Sequence, residues 1–327
     1  MPTLTVIEAV REAMREEMRR DSSVFVLGED VGRRGGVFLA TQGFVDEFGE
    51  QRVIDTPLAE AAIAGVAVGA AMAGMRPIAE VQFGDFAYPV FNQIMGEAAR
   101  ARYGTNGKVS VPLVVRIPYG GHVRGGLFHS QSPEAYFAHT PGLKVVTPAT
   151  PYDAKGLLKS AIRANDPVIF LEHKRTYRSV RGEVPDGDYV VPLGVADVKR
   201  AGDAATIVTY GLTLHYSLKA AENLAAEGIE VEVVDLRTVS PLDEETVLAS
   251  VRKTSRALVV HEDNLSLGVG AEVSALIAEH AFDSLDSPII RVAGPNIPAM
   301  PFAPTLEAAF MPTADKIEAA LRRLLDY

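Results

Sequence analysis

The 327-residue sequence contains no cysteine, which excludes disulfides, thiolate metal sites and cysteine nucleophiles together. It also lacks a long hydrophobic run. The most apolar stretch, Ala61 to Met75, is about fifteen residues against the roughly twenty that a membrane-spanning helix needs, so no membrane segment is expected. Positive charge is scarce: 32 Lys and Arg stand against 42 Asp and Glu, a formal charge of −10. Gripping nucleic acid or anionic lipid takes clustered cations, so neither is expected as a partner. There is no Walker loop, and the nearest glycine pattern, Gly268-Val269-Gly270, lacks the third glycine of a dinucleotide fingerprint. The histidines fall at 122, 129, 139, 173, 215, 261 and 280 with no pair three or four apart, which argues against a zinc site. A cysteine-free chain is compatible with a reducing cytoplasm, where this one is expected to reside.

What is present reads as a folded α/β protein. Hydrophobic residues make up 47% and charged residues 23%, and the length suits two domains rather than one core. Thr5-Val6-Ile7-Glu8, followed by apolar Val10, Met14 and Met18, predicts a capped amphipathic helix rather than a secretory signal. Val- and Ile-rich runs predict strands at Val24–Leu27, Pro77–Val81, Leu113–Ile117, Lys144–Val146 and Val168–Leu171. Helices are predicted over Leu58–Ala73, Phe86–Ala101 and from Thr150-Pro151, where Thr caps and Pro takes the first turn. Such alternation implies a mostly parallel sheet with helices on both faces. Between Lys174 and Pro192 the pattern lapses into a polar stretch rich in Gly and Pro, read as an interdomain linker. A second, smaller α/β unit follows, with strands at Thr206–Thr209, Val231–Val234, Ala257–Val260 and Ile289–Val292. Its helices are expected near Leu214–Ala226, Glu244–Arg252, Ala271–His280 and Ala314–Leu325.

Three segments carry candidate chemistry. Asp55-Thr56-Pro57-Leu58-Ala59-Glu60 ends with a carboxylate heading a helix that has almost no polar residue. The plain reading is a favourable helix-dipole contact; the alternative is a desolvated acid whose pKa is raised. The small residues behind it, with Gly65 and Gly69 four apart, suggest a tight helix–helix interface. Glu80-Val81-Gln82-Phe83-Gly84-Asp85-Phe86-Ala87-Tyr88-Pro89 follows a strand, and open α/β sheets place their sites at the carboxyl ends of strands. Phe83, Phe86 and Tyr88 there are either core aromatics or stacking rings. The glycine-rich run Gly120 to Gly126 leads to His129-Ser130-Gln131-Ser132-Pro133, a suitable place for a general acid or base or, more plainly, for a surface histidine.

Seven strings in order resemble the beta subunit of 2-oxo acid dehydrogenases, in the transketolase-like superfamily. They are Leu27-Gly28-Glu29-Asp30-Val31, Asp55-Thr56-Pro57-Leu58-Ala59-Glu60, Glu80-Val81-Gln82-Phe83, His129-Ser130-Gln131-Ser132, Pro141-Gly142-Leu143-Lys144-Val145-Val146, Asp153-Ala154-Lys155-Gly156-Leu157-Leu158 and Asp235-Leu236-Arg237-Thr238. The resemblance runs from about Leu4 to the C-terminus. It implies a thiamin pyrimidine-binding domain over residues 1–180, a linker over 181–195 and a transketolase C-terminal-like domain over 196–327, each a mostly parallel sheet flanked by helices.

The resemblance also implies roles. Glu60 is the carboxylate that hydrogen-bonds the aminopyrimidine of thiamin diphosphate, and Phe86 the ring that stacks on it. Glu29, Leu58 and Gln82 complete the cofactor contacts, and His129 is the active-site histidine. To favour the imino form of the pyrimidine, Glu60 is expected in a buried setting with a raised pKa. A structural potassium ion would fall to Leu113, Ala161, Ile162, Ala164 and Asp166, although Ala164 stands where the family commonly has Asp. Magnesium-dependent thiamin enzymes hold the diphosphate through a Gly-Asp-Gly motif, which this chain lacks. The magnesium is therefore assigned to an alpha subunit, in an α2β2 heterotetramer with the cofactor shared between chains. The resemblance implies a lipoyl acyltransferase core as a further partner. It also implies oxidative decarboxylation of a 2-oxo acid with acylation of lipoyl groups. The loop Gly121-His122-Val123-Arg124-Gly125-Gly126 and Ser132 after Gln131 resemble the branched-chain type more than the others, with pyruvate and acetoin dehydrogenases as alternatives and a noncatalytic assembly subunit as a reading of another class.

Overall fold

A computed structural model describes residues 1–327. The chain divides into two compact units, one formed by Met1–Tyr119 with Tyr136–Leu193 and the other by Gly120–Ala135 with Gly194–Tyr327.

The first unit opens with β1 (Thr3–Thr5) and α1 (Val6–Arg20). Thr5 caps this helix reciprocally: its hydroxyl accepts from the Glu8 amide, and the Glu8 carboxylate accepts from the Thr5 amide at 2.8 Å. A cap of this kind contributes about 1 kcal/mol. Val6, Val10, Met14 and Met18, four residues apart, form the buried stripe. There follow β2 (Val24–Gly28), α2 (Phe44–Phe48), β3 (Val53–Asp55), α3 (Glu60–Met72), β4 (Arg76–Glu80), α4 (Ala99–Gly104), β5 (Val114–Tyr119) and α5 (Glu134–Ala138). The chain continues through β6 (Lys144–Val146), α6 (Pro151–Arg163), β7 (Val168–His173), α7 (Thr176–Ser179) and β8 (Arg181–Glu183). The strands pair in the order β6-β7-β5-β4-β2-β3, all parallel. Helices cover both faces, which is why the strands read as continuous Val and Ile runs rather than as alternating patterns.

Register fixes where the site lies. Gly28 at the end of β2 stands opposite Asp55 of β3 and Glu80 of β4, so three adjacent strands end level. Beneath those ends lies a buried ion network. Arg116 of β5 donates to Glu172 of β7 at 2.7 and 2.6 Å and to Glu80 at 2.6 Å, and Tyr177 donates its hydroxyl to Glu172 at 2.6 Å. Burial pushes the Glu80 carboxyl up, against the pull of the Arg116 guanidinium.

Two expectations are revised. The helix expected over Phe86–Ala101 is broken into 3-10 turns at Gly84–Phe86 and Tyr88–Val90, a π-helical stretch at Asn92–Ala98 and then α4. Pro89 has no amide to donate, so a regular α-ladder cannot run through it. The polar stretch from Lys174 is also not slack throughout: β8 pairs antiparallel with β1, Thr3 facing Glu183, and Val184 and Val191 are buried.

Helix α3 is apolar on both sides. Ile63, Ala64, Ala67, Val68 and Ala71 are buried, while Val66 and Met72 on the opposite side are exposed.

The second unit carries β9 (Asp197–Arg200), β10 (Ala205–Thr209), α8 (Leu212–Ala225), β11 (Val231–Asp235), β12 (Thr238–Ser240) and α9 (Glu244–Thr254). Then come β13 (Ala257–Asn264), α10 (Val269–His280), β14 (Ile290–Gly294), α11 (Pro304–Phe310) and α12 (Ala314–Leu325). Its sheet runs β14-β13-β10-β11-β9, parallel except for the edge strand β9. Asp243 caps α9 by accepting from the Thr246 amide. Ile207, Val233, Val259, Val273, Ile277 and Leu321 are buried in its core.

Candidate functional site

In the first unit the candidate residues collect at the carboxyl ends of β2, β3 and β4. Glu29 directly follows β2, Glu60 is the first residue of the helix after β3, and Gln82 lies two residues past β4. Gln82 donates its side-chain amide to the Glu29 carbonyl at 3.3 Å. The connection after β3 is tied back by the Thr56 amide, which donates to the Gly28 carbonyl at 2.9 Å, and Gly32 donates to the Asp55 carboxylate at 2.6 Å. Burial, then the charges of Asp30 and Glu60, push the Glu29 carboxyl above the usual carboxylate range. Two acids therefore face the same small region, and the second of them bears on the first.

Glu60 is half-buried in this chain, so the dry setting expected for it is only partly supplied here. Phe86, on the 3-10 turn, is partly buried and meets Phe83 edge-on with ring centroids 5.5 Å apart. The Lys174 ammonium stands over the Phe83 ring at 5.7 Å. Leu58 is 73% exposed and projects from the turn ahead of Glu60. Sequence reasoning missed the Arg116, Glu80 and Glu172 network that underlies these strand ends. Its members are scattered over 93 positions, and only the β-register joins them.

The residues to which a potassium ion was assigned do come together, but they are already engaged. The Arg76 guanidinium donates to the carbonyls of Ile162 and Ala164 at 2.9 and 2.8 Å. The Leu113 carbonyl accepts from the Val168 amide, and the Ala161 carbonyl accepts from the Ala164 amide. Asp166 pairs with Arg102 and Lys144. With cationic side chains on the Ile162, Ala164 and Asp166 oxygens and backbone amides on those of Leu113 and Ala161, the group does not fit a bound potassium ion. No cluster of three or more His, Asp or Glu side chains is placed to hold any other metal.

His129 belongs to the second unit. It is half-buried and follows the 3-10 turn Gly126–Phe128. Gly125 lets this turn double back, since a Cβ there would lie 2.5 Å from the His129 carbonyl oxygen. The loop rests on acidic groups from the rest of the unit. Glu262 accepts from the Gly121 amide at 2.5 Å and from the Ser132 hydroxyl at 3.3 Å. Glu307 accepts from the Val123 and Arg124 amides at 3.1 and 3.0 Å. His122 Nδ1 lies 2.5 Å from the Tyr216 hydroxyl, and Tyr210 donates to Glu134 at 2.9 Å. Burial, followed by the charge of Asp263, raises the Glu134 carboxyl well above its ordinary range. Burial also lifts Asp263 to about 6, with Glu262 adding to it.

The sequence matches two family models: "Transketolase, pyrimidine binding domain" over residues 2–180 and "Transketolase, C-terminal domain" over residues 194–317. It is 60% identical to the 2-oxoisovalerate dehydrogenase subunit beta of Bacillus subtilis (strain 168), over the full length of both chains. It is 49% identical to the pyruvate dehydrogenase E1 component subunit beta of the same organism, again over the full length of both. Among solved structures, it resembles a chain described as "Split gene transketolase, inactive beta4 tetramer" with a TM-score of 0.81 and 25% identity, covering 99% of this chain and 98% of that one. Two α/β domains of transketolase type, joined in this order and matched end to end by dehydrogenase subunits, place the chain in the family of 2-oxo acid dehydrogenase beta subunits.

Proposed function

We propose that this chain binds the pyrimidine half of thiamin diphosphate and, with an alpha subunit, decarboxylates a branched-chain 2-oxo acid and passes the acyl group to lipoyl groups. The observation that carries the reading is the gathering of Glu29, Glu60 and Gln82 at the level ends of three adjacent parallel strands. The greater identity to a 2-oxoisovalerate subunit, 60% against 49% for a pyruvate subunit, supports a branched-chain substrate. Pyruvate is the second reading, favoured by that full-length 49% match.

When bound, thiamin diphosphate supplies the carbon nucleophile and the electron sink that loss of carbon dioxide from a 2-oxo acid requires. Glu60 holds a proton at the aminopyrimidine ring nitrogen from the first turn of α3. Glu29, whose carboxyl is pushed up by burial and then by the charges of Asp30 and Glu60, places a second acid close to Glu60. Gln82 fixes the backbone at Glu29. Phe86 offers a ring face to the pyrimidine, and Leu58 an apolar contact. His129 exchanges protons with the acyl group during transfer.

The diphosphate end and its magnesium fall to the alpha subunit, because this sequence has no Gly-Asp-Gly motif. We assign the assembly as α2β2, docked on a lipoyl acyltransferase core in the cytoplasm, with alpha completing the cover over Glu60. Residues 1–180 then serve the pyrimidine and 196–327 serve assembly, with 181–195 between them. Potassium has no part in this reading, since Arg76 takes the carbonyls concerned.

The test is co-expression with the alpha subunit and measurement of carbon dioxide release from 2-oxoisovalerate and pyruvate. The Glu60→Gln variant is expected to assemble and lose decarboxylation; normal turnover by it would reject the mechanism. Equal turnover by wild-type complex on both acids would reject the branched-chain assignment alone.

A further inference from the structure

The loop from Gly120 to Ala135 stands between β5 and β6 in the chain, yet it packs with the C-terminal unit. Two acids of that unit determine its path. One Glu262 oxygen accepts from Gly121 near the start of the loop and from Ser132 near its end, and the Gly120 amide donates to the Gln131 carbonyl at 3.1 Å, so the neck is closed. Farther along, His122 and Arg124 adopt left-handed backbone with φ of 60° and 58°. Such φ values are uncommon outside glycine and persist only where surroundings hold them. Here the amides of Val123 and Arg124 converge on a single oxygen of Glu307, which is 3% exposed. Successive amides turned to one point by alternating backbone form a concavity that binds an anion. In this protein the anion is a side chain of the same chain, 184 residues away from Val123.

We propose that Glu307 is a positioning residue for His129: its carboxylate fills the backbone concavity at Val123 and Arg124 and fixes the path of the loop that delivers the histidine. The inference rests on the proposed role of His129 in acyl transfer. Glu307 touches no reacting atom in this scheme. Its carboxylate holds two amides, those amides hold the left-handed residues, and the turn at Gly125 and Gly126 then sets the histidine. A displacement of about 1 Å in a catalytic group costs on the order of 100-fold in rate, so a latch outside the reacting centre is felt in turnover.

The experiment uses the assembled complex with its alpha subunit and the variants Glu307→Ala, Glu307→Gln and His129→Ala. Amide hydrogen exchange over residues 120–132, kcat for acyl transfer to lipoamide, and the thiamin diphosphate concentration giving half activity are measured for each. For Glu307→Ala, faster exchange in this segment is expected, together with a fall in kcat of about 10- to 100-fold and an unchanged thiamin requirement. Added acetate should restore part of both exchange protection and kcat, because it offers the missing carboxylate to the open concavity. Glu307→Gln, which keeps one acceptor oxygen, should lie between wild type and Ala. Unchanged exchange in Glu307→Ala overturns the proposal, as does a thiamin requirement that worsens in step with kcat. Should that variant fail to assemble, Glu307→Asp reads the same two amides: faster exchange supports the latch, and wild-type exchange overturns it. Normal acyl transfer by His129→Ala would instead sink the role given to His129, whatever the exchange data say of the loop.

Discussion

Replacing Arg116 by Met is the most informative perturbation of the first domain. The substitution keeps an unbranched buried chain but removes the guanidinium that holds Glu80 at 2.6 Å and Glu172 at 2.7 and 2.6 Å. Glu172 keeps the Tyr177 hydroxyl. Glu80, 2% exposed and already pushed up by burial, has no comparable second partner and is left to take up a proton. An ordinary glutamate titrates near 4.3, so neutralising one at pH 7 spans about 2.7 units at about 1.36 kcal/mol each, or about 3.7 kcal/mol. That agrees with the roughly 3–5 kcal/mol seen when one partner of a buried ion pair is removed. A carboxyl with a raised folded-state pKa favours folding below its unfolded value and loses that contribution as pH rises. The deficit of the variant should therefore be about 1 kcal/mol at pH 5 and grow to about 3.7 at pH 7. For a domain of this size each kcal/mol moves the midpoint by about 2–4 °C, so scanning calorimetry of the assembled complex should show a loss of about 7–15 °C at pH 7. Adding Glu80→Gln to the same variant should recover most of it. A deficit that is absent, or that does not shrink as pH falls, refutes the argument.

Other expectations follow from the same kind of reasoning. Asp263, lifted to about 6 by burial, should cost the fold stability as pH rises from about 4 to 6. Asp263→Asn should flatten that dependence and stabilise the complex at pH 8 by about 2–3 kcal/mol, read from melting curves at pH 5 to 8; a parallel pH dependence in both proteins would refute this. Gly142→Ala should destabilise by about 2 kcal/mol or more, because φ is +98° and the new Cβ would lie 2.2 Å from the Ala99 carbonyl oxygen; unchanged unfolding would contradict it. Exchanging potassium for sodium in the buffer should leave the melting temperature unchanged, since Arg76 engages the Ile162 and Ala164 carbonyls; a potassium-specific rise would restore the ion to that site.

Much of the fold is legible locally. The strand expected at Lys144–Val146 and the helix at Ala314–Leu325 appear with the same bounds, because hydrophobic period is a short-range property. The family was legible in its ordered strings, and the carboxyl-end position of Gln82 in the strand expected just before it, whereas β3, which brings Glu60 level with it, was not among the expected strands. What was not legible depends on distant partners. Edge strand β9, Asp197–Arg200, has three charged residues out of four and no apolar alternation to reveal it. The helix expected from Phe86 failed because apolar spacing continues through Pro89 although the backbone ladder cannot. The attachment of the His129 loop to the C-terminal unit depends on Glu262 and Glu307, each more than a hundred positions away, and nothing in the loop's own composition announces them.

Helix α3 has no wet side. Its exposed residues, Val66 and Met72 among them, are as apolar as those it buries, and water does not favour such a surface on a lone polypeptide. A cell that made this subunit in excess would be left with sticky orphans, prone to clump or be degraded. Making the two polypeptides in matched amounts would leave no copy of that helix uncovered.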